Sequence, residues 1–337
     1  MAKTKLVEER LGPQHIGKTK PTFSHPVKKL ILDRLASGSK RGSRTDGAIL
    51  AIAIEGGGIG GIVSAGMCVA LEVAGMIDAV DIIYGSSSGA LNGAFTTSSQ
   101  AEIGSDNYIK VMDARFYNPR RFVRRRPIVD FDFLFNEVIQ ENNPYDFEAF
   151  KKGPEFRAMA TSLSTQKGVT LSGFKSVDDL MLAIRASCSI PVAAGPAMVY
   201  KDDSLVDGAL IYSVPFRPAL EEGATHVLAL RTKHESYRIS SYNRTFLRAV
   251  RRFGSQELAD LVRRRPTLYN HDADELQASK LQNVLQITPQ QTEFPVKQFE
   301  KSYLRARQGF DLGVQAIAEI FDLPTIQVSW RPVLMVN

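Results

Sequence analysis

Only two cysteines, Cys68 and Cys188, occur in 337 residues, which is neither a disulfide framework nor a metal-ligand pattern. A reducing cytoplasm is the simplest setting for such a chain. No run approaches the roughly 18 consecutive apolar residues that a membrane-spanning helix requires. The opening stretch, MAKTKLVEERLGPQHIGKTKP, has no apolar h-region, so a secretory signal is not expected. Histidine is scarce, at five. Zinc-finger spacing, helix-turn-helix signals and RNP motifs are all lacking, so no nucleic-acid partner is expected.

What is present is the balance of an ordinary globular protein, 44% hydrophobic and 23% charged. The net charge of +6 is unevenly placed. Residues 1–48 hold eleven Lys or Arg and four Asp or Glu, a surplus of +7, and taking +7 from +6 leaves −1 for residues 49–337. The expectation is a basic, solvated N-terminal arm over 1–47, with anionic lipid headgroups as its sharper possible partner. A core over 48–232 follows, then a mainly helical C-terminal extension over 233–337 packed on that core. No internal repeat is found.

AILAIAI, residues 48–54, is a short continuous apolar run closed by Glu55 and then GGGIGG, the pattern of a strand buried on both faces. Residues 62–77 carry apolar groups at helical spacing, AVDIIYG at 79–85 reads as a second buried strand, and ALNGAF continues as a helix of small residues. Strand, helix, strand, helix with short connections predicts an α/β fold with a parallel sheet. Further strands are expected over 157–173 as a pair around a QKG turn, over 197–210 around a DD turn, and over 224–232 and 283–289. VDDLMLAIRASCS, 177–189, reads as a helix halted by Pro191.

Gly85, Ser86, Ser87, Ser88 and Gly89 fit G-x-S-x-G, the one such match in the chain. Chance alone would supply a match in about one chain in ten of this length. The setting adds more, because a buried strand precedes the motif and a small-residue helix follows it, as a nucleophile elbow requires. Glycines remove the Cβ atoms that would clash in so sharp a turn, which pushes Ser87 out at the tip of the sheet. The alternative is that Ser86 to Ser88 merely cap the helix.

Gly56, Gly57, Gly58, Ile59, Gly60 and Gly61 open the first helix and also match G-x-G-x-x-G. A dinucleotide site would need an acidic residue about 20 positions on, and Asp78 and Asp81 keep that reading open. An oxyanion hole from the Gly57 and Gly58 N–H groups is the competing reading, because parallel pairing sets this loop beside the serine turn. A tight strand-to-helix turn without chemistry is the third.

Ser87 needs a base. His15 and His25 lie in the arm, His226 sits within an apolar strand, and His234 and His271 follow it in polar stretches. A Ser-His-Asp triad stays open. An Asp held beside the serine in a partly desolvated pocket serves equally, and Asp207 lies between apolar residues at the end of a strand-like segment, followed by Gly208 and Ala209. An Asp-Gly pair is otherwise a common turn.

GGGIGG before a helix, GSSSG at the next strand end, SIPVAAGP midway and a DGA triplet about 120 residues after the serine together resemble the patatin-like phospholipases, over roughly residues 48–232. The resemblance implies a three-layer α/β/α fold with a central, mostly parallel sheet. It also implies a Ser-Asp dyad and hydrolysis of lipid acyl esters. Position by position, Ser87 matches the nucleophile, Asp207 the base, and Gly56 to Gly61 the oxyanion loop, with Ser88 supplying a further N–H. Many members have a basic residue where this chain has Gly60, and usually an Asp where it has Glu55. Neither a metal nor an organic cofactor is expected.

FYNPRRFVRRRPIVDFDFLF, 116–135, interleaves arginine with aromatics. It reads either as a solvated loop whose aromatics enter the core or as an interfacial rim, with Arg124, Arg125 and Arg126 near anionic headgroups. Arg251, Arg252 and Arg263 to Arg265 extend that patch or simply cover helices. The expected function is that of a cytoplasmic, peripherally membrane-associated phospholipase A or lysophospholipase. An acyltransferase on the same dyad and an idle lipid-binding protein are the alternatives.

Overall fold

All five residues of the strand Leu50–Ile54 (β1) are buried, as a strand covered on both faces requires. The computed structural model describes residues 24–324, apart from 113–114, 125, 191–192, 279–280 and 294. The helix Pro26–Ala36 (α1) precedes β1. After it come helix Ile62–Val73 (α2), strand Ile82–Ser86 (β2) and helices Ser88–Thr97 (α3) and Ala101–Lys110 (α4). A π-helix, Phe133–Asn142, leads to helix Phe147–Lys152 (α5), strands Glu155–Ser162 (β3) and Gly168–Leu171 (β4), and helix Val177–Cys188 (α6). Strands Met198–Tyr200 (β5) and Asp203–Asp207 (β6), helix Phe216–Glu221 (α7) and strand His226–Leu230 (β7) follow. Helices Arg244–Phe253 (α8) and Gln256–Gln277 (α9), strand Val284–Ile287 (β8) and helix Tyr303–Phe321 (α10) complete the described chain.

These strands form one sheet in the order β5-β6-β3-β2-β1-β7-β8, with β4 beside β3. From β3 through β8 along that order the pairing is parallel, and β4, β5 and β6 add antiparallel pairs at the other end. Alternate residues of β1 enter different cores. Leu50, Ile52 and Ile54 pack with residues of α2, α3 and α10, whereas Ala51 and Ala53 pack with Phe216 and Ala219 of α7 and Leu276 of α9. The result is the three-layer α/β/α arrangement expected from the alternation of strands and helices.

One feature departs from expectation. Residues 26–47 are no solvated arm. Val27 and Ile31 of α1 are buried in the main core, and the buried Arg34 guanidinium donates to Asp46 at 2.8 Å, Asp81 at 2.6 Å and the carbonyls of Ala48 and Ala79. Lysine-rich composition hid this, because only the i, i+4 pair of Val27 and Ile31 and the distant acids reveal it. Residues 1–23 of the expected arm lie outside the described residues. The C-terminal region, for its part, is built into the sheet: β8 pairs with β7, Val227 opposite Val284, and Gly313 of α10 sits where a Cβ would lie 2.0 Å from the Val63 carbonyl oxygen of α2.

Removing one partner of a buried ion pair leaves the others uncompensated. Arg34→Met is therefore expected to cost about 3 kcal/mol of unfolding free energy, read from the urea midpoint. A loss no larger than that of an exposed arginine would show that α1 is held by its apolar contacts alone.

Candidate active site

β3 lies between β2 and β6, with Ser86 opposite Met159 and Asp207 opposite Ala160. The residues that end β2 and β6 thus reach the same rim of the sheet from either side of β3. Ser87 follows at φ 56° and ψ −132° before α3 begins, a backbone conformation that costs on the order of 1–3 kcal/mol and needs support. Ser187 of α6 supplies some: its hydroxyl oxygen accepts the Ser87 N–H at 3.0 Å, and its own proton goes to the Met159 carbonyl. Close packing supplies the rest, since α3 approaches β1 so nearly that a Cβ on Gly89 would lie 2.4 Å from the Ile54 carbonyl oxygen.

The Ser87 hydroxyl donates to Oδ2 of Asp207 at 2.8 Å, across 120 residues of chain. It makes no helix-capping bond, so the capping reading does not describe it. Oδ1 of Asp207 accepts the Ala209 N–H at 2.8 Å, and the Asp207 backbone is held by Ser189 and Thr161. Burial raises the Asp207 pKa above its ordinary 3.8, against the opposing pull of the Ser87 hydroxyl, the Ala209 N–H and the nearby Arg265 charge. A carboxylate shifted that way is a stronger proton acceptor.

The glycine loop faces this pair. Gly57 has φ 147°, a conformation that a side chain would strain. The Gly56 carbonyl accepts the Thr232 hydroxyl at 2.9 Å, and the Gly61 carbonyl accepts Ser64 and Asn92 at 3.0 Å each. Gly57 and Gly58 line a cavity shared with Ser87 and Asp207, while Gly58 and Ser88 line a second one shared with Ser87. The structure therefore gathers Gly57, Gly58 and Ser88 around the serine. Glu55, one methylene longer than the expected Asp, reaches across to accept the Thr232 N–H at 2.7 Å. Beside Gly60 a cation arrives from elsewhere: Lys233 Nζ lies 3.3 Å from where a Cβ would stand.

Ser87 sits where the two cavities meet. One, about 620 Å³ with its open mouth included, is almost wholly apolar, walled by Leu91, Val111, Phe116, Val129, Phe131 and Leu134. The other, about 1680 Å³ with its open mouth included, is more polar and contains Asp207, Lys233 and Arg265. Phe116, Phe131, Phe133 and Phe135 thus enter the core, and Phe116 and Phe131 wall the apolar cavity. Arg126 is exposed; Arg125 and the Arg124 side chain lie outside the described residues.

None of the four described histidines lines either cavity. His25 caps α1, His226 and His234 bond Thr225 and Ser236, and His271 contacts Arg217; His15 is outside the described residues. Asp81 precedes β2 and accepts from Arg34, Arg44 and the Leu50 N–H, at the opposite end of the sheet from the glycine loop. Asp78 is paired to Lys40 nearby. A dinucleotide site is therefore not assembled. Sequence reasoning missed Ser187, which no motif marks, and Arg265, which was one of a run of three.

A family model described as patatin-like phospholipase matches residues 52–220. Among solved structures the chain is similar to VipD from Legionella pneumophila, at 11% identity over 83% of this chain and 67% of that one, with a TM-score of 0.42. It is also similar to human GIVD cytosolic phospholipase A2, solved with methyl gamma-linolenyl fluorophosphonate and terbium chloride. There the identity is 19% over 43% of this chain and 26% of that one, with a TM-score of 0.25.

Proposed function

The chain belongs to the patatin-like phospholipase family, and from that premise we propose that it is a serine lipid acyl hydrolase that cleaves fatty acyl esters of phospholipids or lysophospholipids. The observation that carries this reading is the 2.8 Å hydrogen bond from the Ser87 hydroxyl to Asp207 at the junction of two cavities. Ser87 Oγ attacks the acyl carbonyl while Asp207 Oδ2 takes its proton, and the N–H groups of Gly57, Gly58 and Ser88 bind the oxyanion. Collapse of the intermediate passes the proton from Asp207 to the leaving alcohol and leaves an acyl-serine. Water then attacks, deprotonated by Asp207, and the fatty acid departs as the serine regains its proton. The apolar cavity holds the acyl chain and the larger one the glycerol and headgroup. No helix among the described residues is long and apolar enough to cross a membrane, and the protein meets its substrate as a peripheral protein at a lipid surface.

A fluorophosphonate probe tests the reading. One covalent adduct on the peptide carrying Ser87, together with fatty acid release from phospholipid or lysophospholipid, is the expected result. A folded protein that does not label is an idle lipid binder, and one that passes the acyl group to an added alcohol in preference to water is a transferase.

The division between cavities is separately testable. Leu134→Trp fills part of the apolar wall and is expected to lower turnover of long-chain esters at least tenfold while sparing butyrate esters, as a pocket shortened by a few methylenes would. Equal loss on both chain lengths would place the acyl chain elsewhere.

A further inference from the structure

Helix α8, RTFLRAVRRF, carries four arginines and no acid. Arg244, Arg248, Arg251 and Arg252 stand at i, i+4, i+7 and i+8 and so share one stripe, while Phe246, Val250 and Phe253 share the opposite one. All four arginines are exposed. No ion pair among the described residues includes them, although Arg238 is paired with Asp274 and Arg263 with Asp260 close by. Residues 238–265 hold eight arginines against Glu257 and Asp260, a local +6, within a body whose sum is −1. A charge so concentrated raises the local potential far above what the average suggests.

The other side of α8 meets the candidate active site. Phe246 and Val250 line the cavity that holds Ser87 and Asp207. Val250 is buried with Leu258 and Leu261 of α9, and the Phe246 ring leans on Tyr242 at 5.2 Å between centroids. Phe246 is nevertheless 45% exposed, and Phe253 is 56% exposed. One helix therefore joins three things: cationic charge outside the ion pairs of the fold, two partly exposed aromatic rings with Arg252 lying over that of Phe253 at 6.0 Å, and a wall of the cavity beside the serine.

We propose that α8 docks the protein on an anionic lipid bilayer, its arginine stripe among the headgroups and the exposed edges of Phe246 and Phe253 flanking that stripe at the same surface, beside the larger cavity. Arginine supplies a weakly hydrated cation suited to phosphate oxygens, and aromatic side chains favour the interface. A nucleic acid would use the arginines but would leave the aromatic rings and the cavity wall without a purpose. This docking element lies outside the stretch matched by the family model.

Co-sedimentation of the full chain with phosphatidylcholine vesicles, with and without phosphatidylserine, tests this. Binding is expected to require phosphatidylserine and to weaken with added salt. Arg244→Gln, Arg248→Gln, Arg251→Gln and Arg252→Gln together are expected to reduce affinity on the order of a hundredfold or more, at roughly fivefold per arginine. Hydrolysis of a water-soluble ester should stay unchanged, which shows that the variant folds. Ser87→Ala should bind vesicles like the parent, so loss of ester chemistry and loss of docking are read apart. Undiminished binding of the quadruple variant overturns the proposal. So does equal binding to neutral vesicles, loss of binding on replacing Lys3, Lys5, Lys18 and Lys20 by glutamine instead, or tighter binding of the same surface to duplex DNA or RNA than to vesicles.

Discussion

Ser87→Ala is expected to lower ester hydrolysis by at least about four orders of magnitude, to the level left by binding and oxyanion contacts alone. The magnitude follows from the role: without Oγ no acyl-enzyme forms, and a water molecule would have to be placed and deprotonated in its stead. Alanine keeps the Cβ that the elbow already accommodates, and the Ser87 N–H still reaches Ser187 at 3.0 Å. The fold should therefore survive, with a far-ultraviolet circular dichroism spectrum and melting temperature close to those of the parent. Residual turnover within tenfold of the parent, measured on protein free of contaminating esterase, would remove Ser87 from the mechanism.

Asp207→Asn is expected to cost about 10³ to 10⁴ in kcat, because the amide matches the carboxylate in shape but cannot take the serine proton. Its effect on stability should run the other way. Burial raises the folded-state pKa of Asp207 above the unfolded 3.8, only partly offset by the Ser87 hydroxyl, the Ala209 N–H and the Arg265 charge. The folded protein therefore binds this proton more tightly than the unfolded chain. Stability from this group is greatest below 3.8 and is lost as pH rises through the folded-state pKa. At neutral pH the ionised carboxylate destabilises the fold, and the asparagine variant should melt higher than the parent, with the difference shrinking in acid. The same shift places the acid limb of kcat/KM above 3.8, since only ionised Asp207 accepts the proton. Full activity in Asp207→Asn, coupled with loss in His234→Ala, would move the base to the histidine.

The site was legible where chemistry forces local sequence. A strand that must turn sharply into a helix needs small residues on both sides, so Gly85 and Gly89 bracket Ser87 visibly; the DGA triplet advertises Asp207 for a similar reason. Parallel pairing of β1 with β2 then brings the glycine loop to the serine turn. Legibility ended where partners are far apart in sequence and no motif joins them. Ser187 steadies the Ser87 backbone from 100 residues away, and nothing in ASCSIP announces that. Arg34 turned a basic stretch into a packed helix because Asp46 and Asp81 receive it. Summing charge over residues 49–337 gave a neutral body, which concealed a local +6 over 238–265. The aromatics of 116–135 read equally well as rim or core, because helical and loop spacing carry no record of which cavity a ring will wall.

Acid quenching of the enzyme during turnover of a long-chain ester, followed by peptide mass spectrometry, tests the central claim most directly. The acyl group should be found on the peptide containing Ser87, in ester linkage to that residue, and should accumulate less in Asp207→Asn than in the parent. An acyl group on another side chain, or steady hydrolysis with Ser87 unmodified at every quench time, would contradict the Ser87 and Asp207 mechanism.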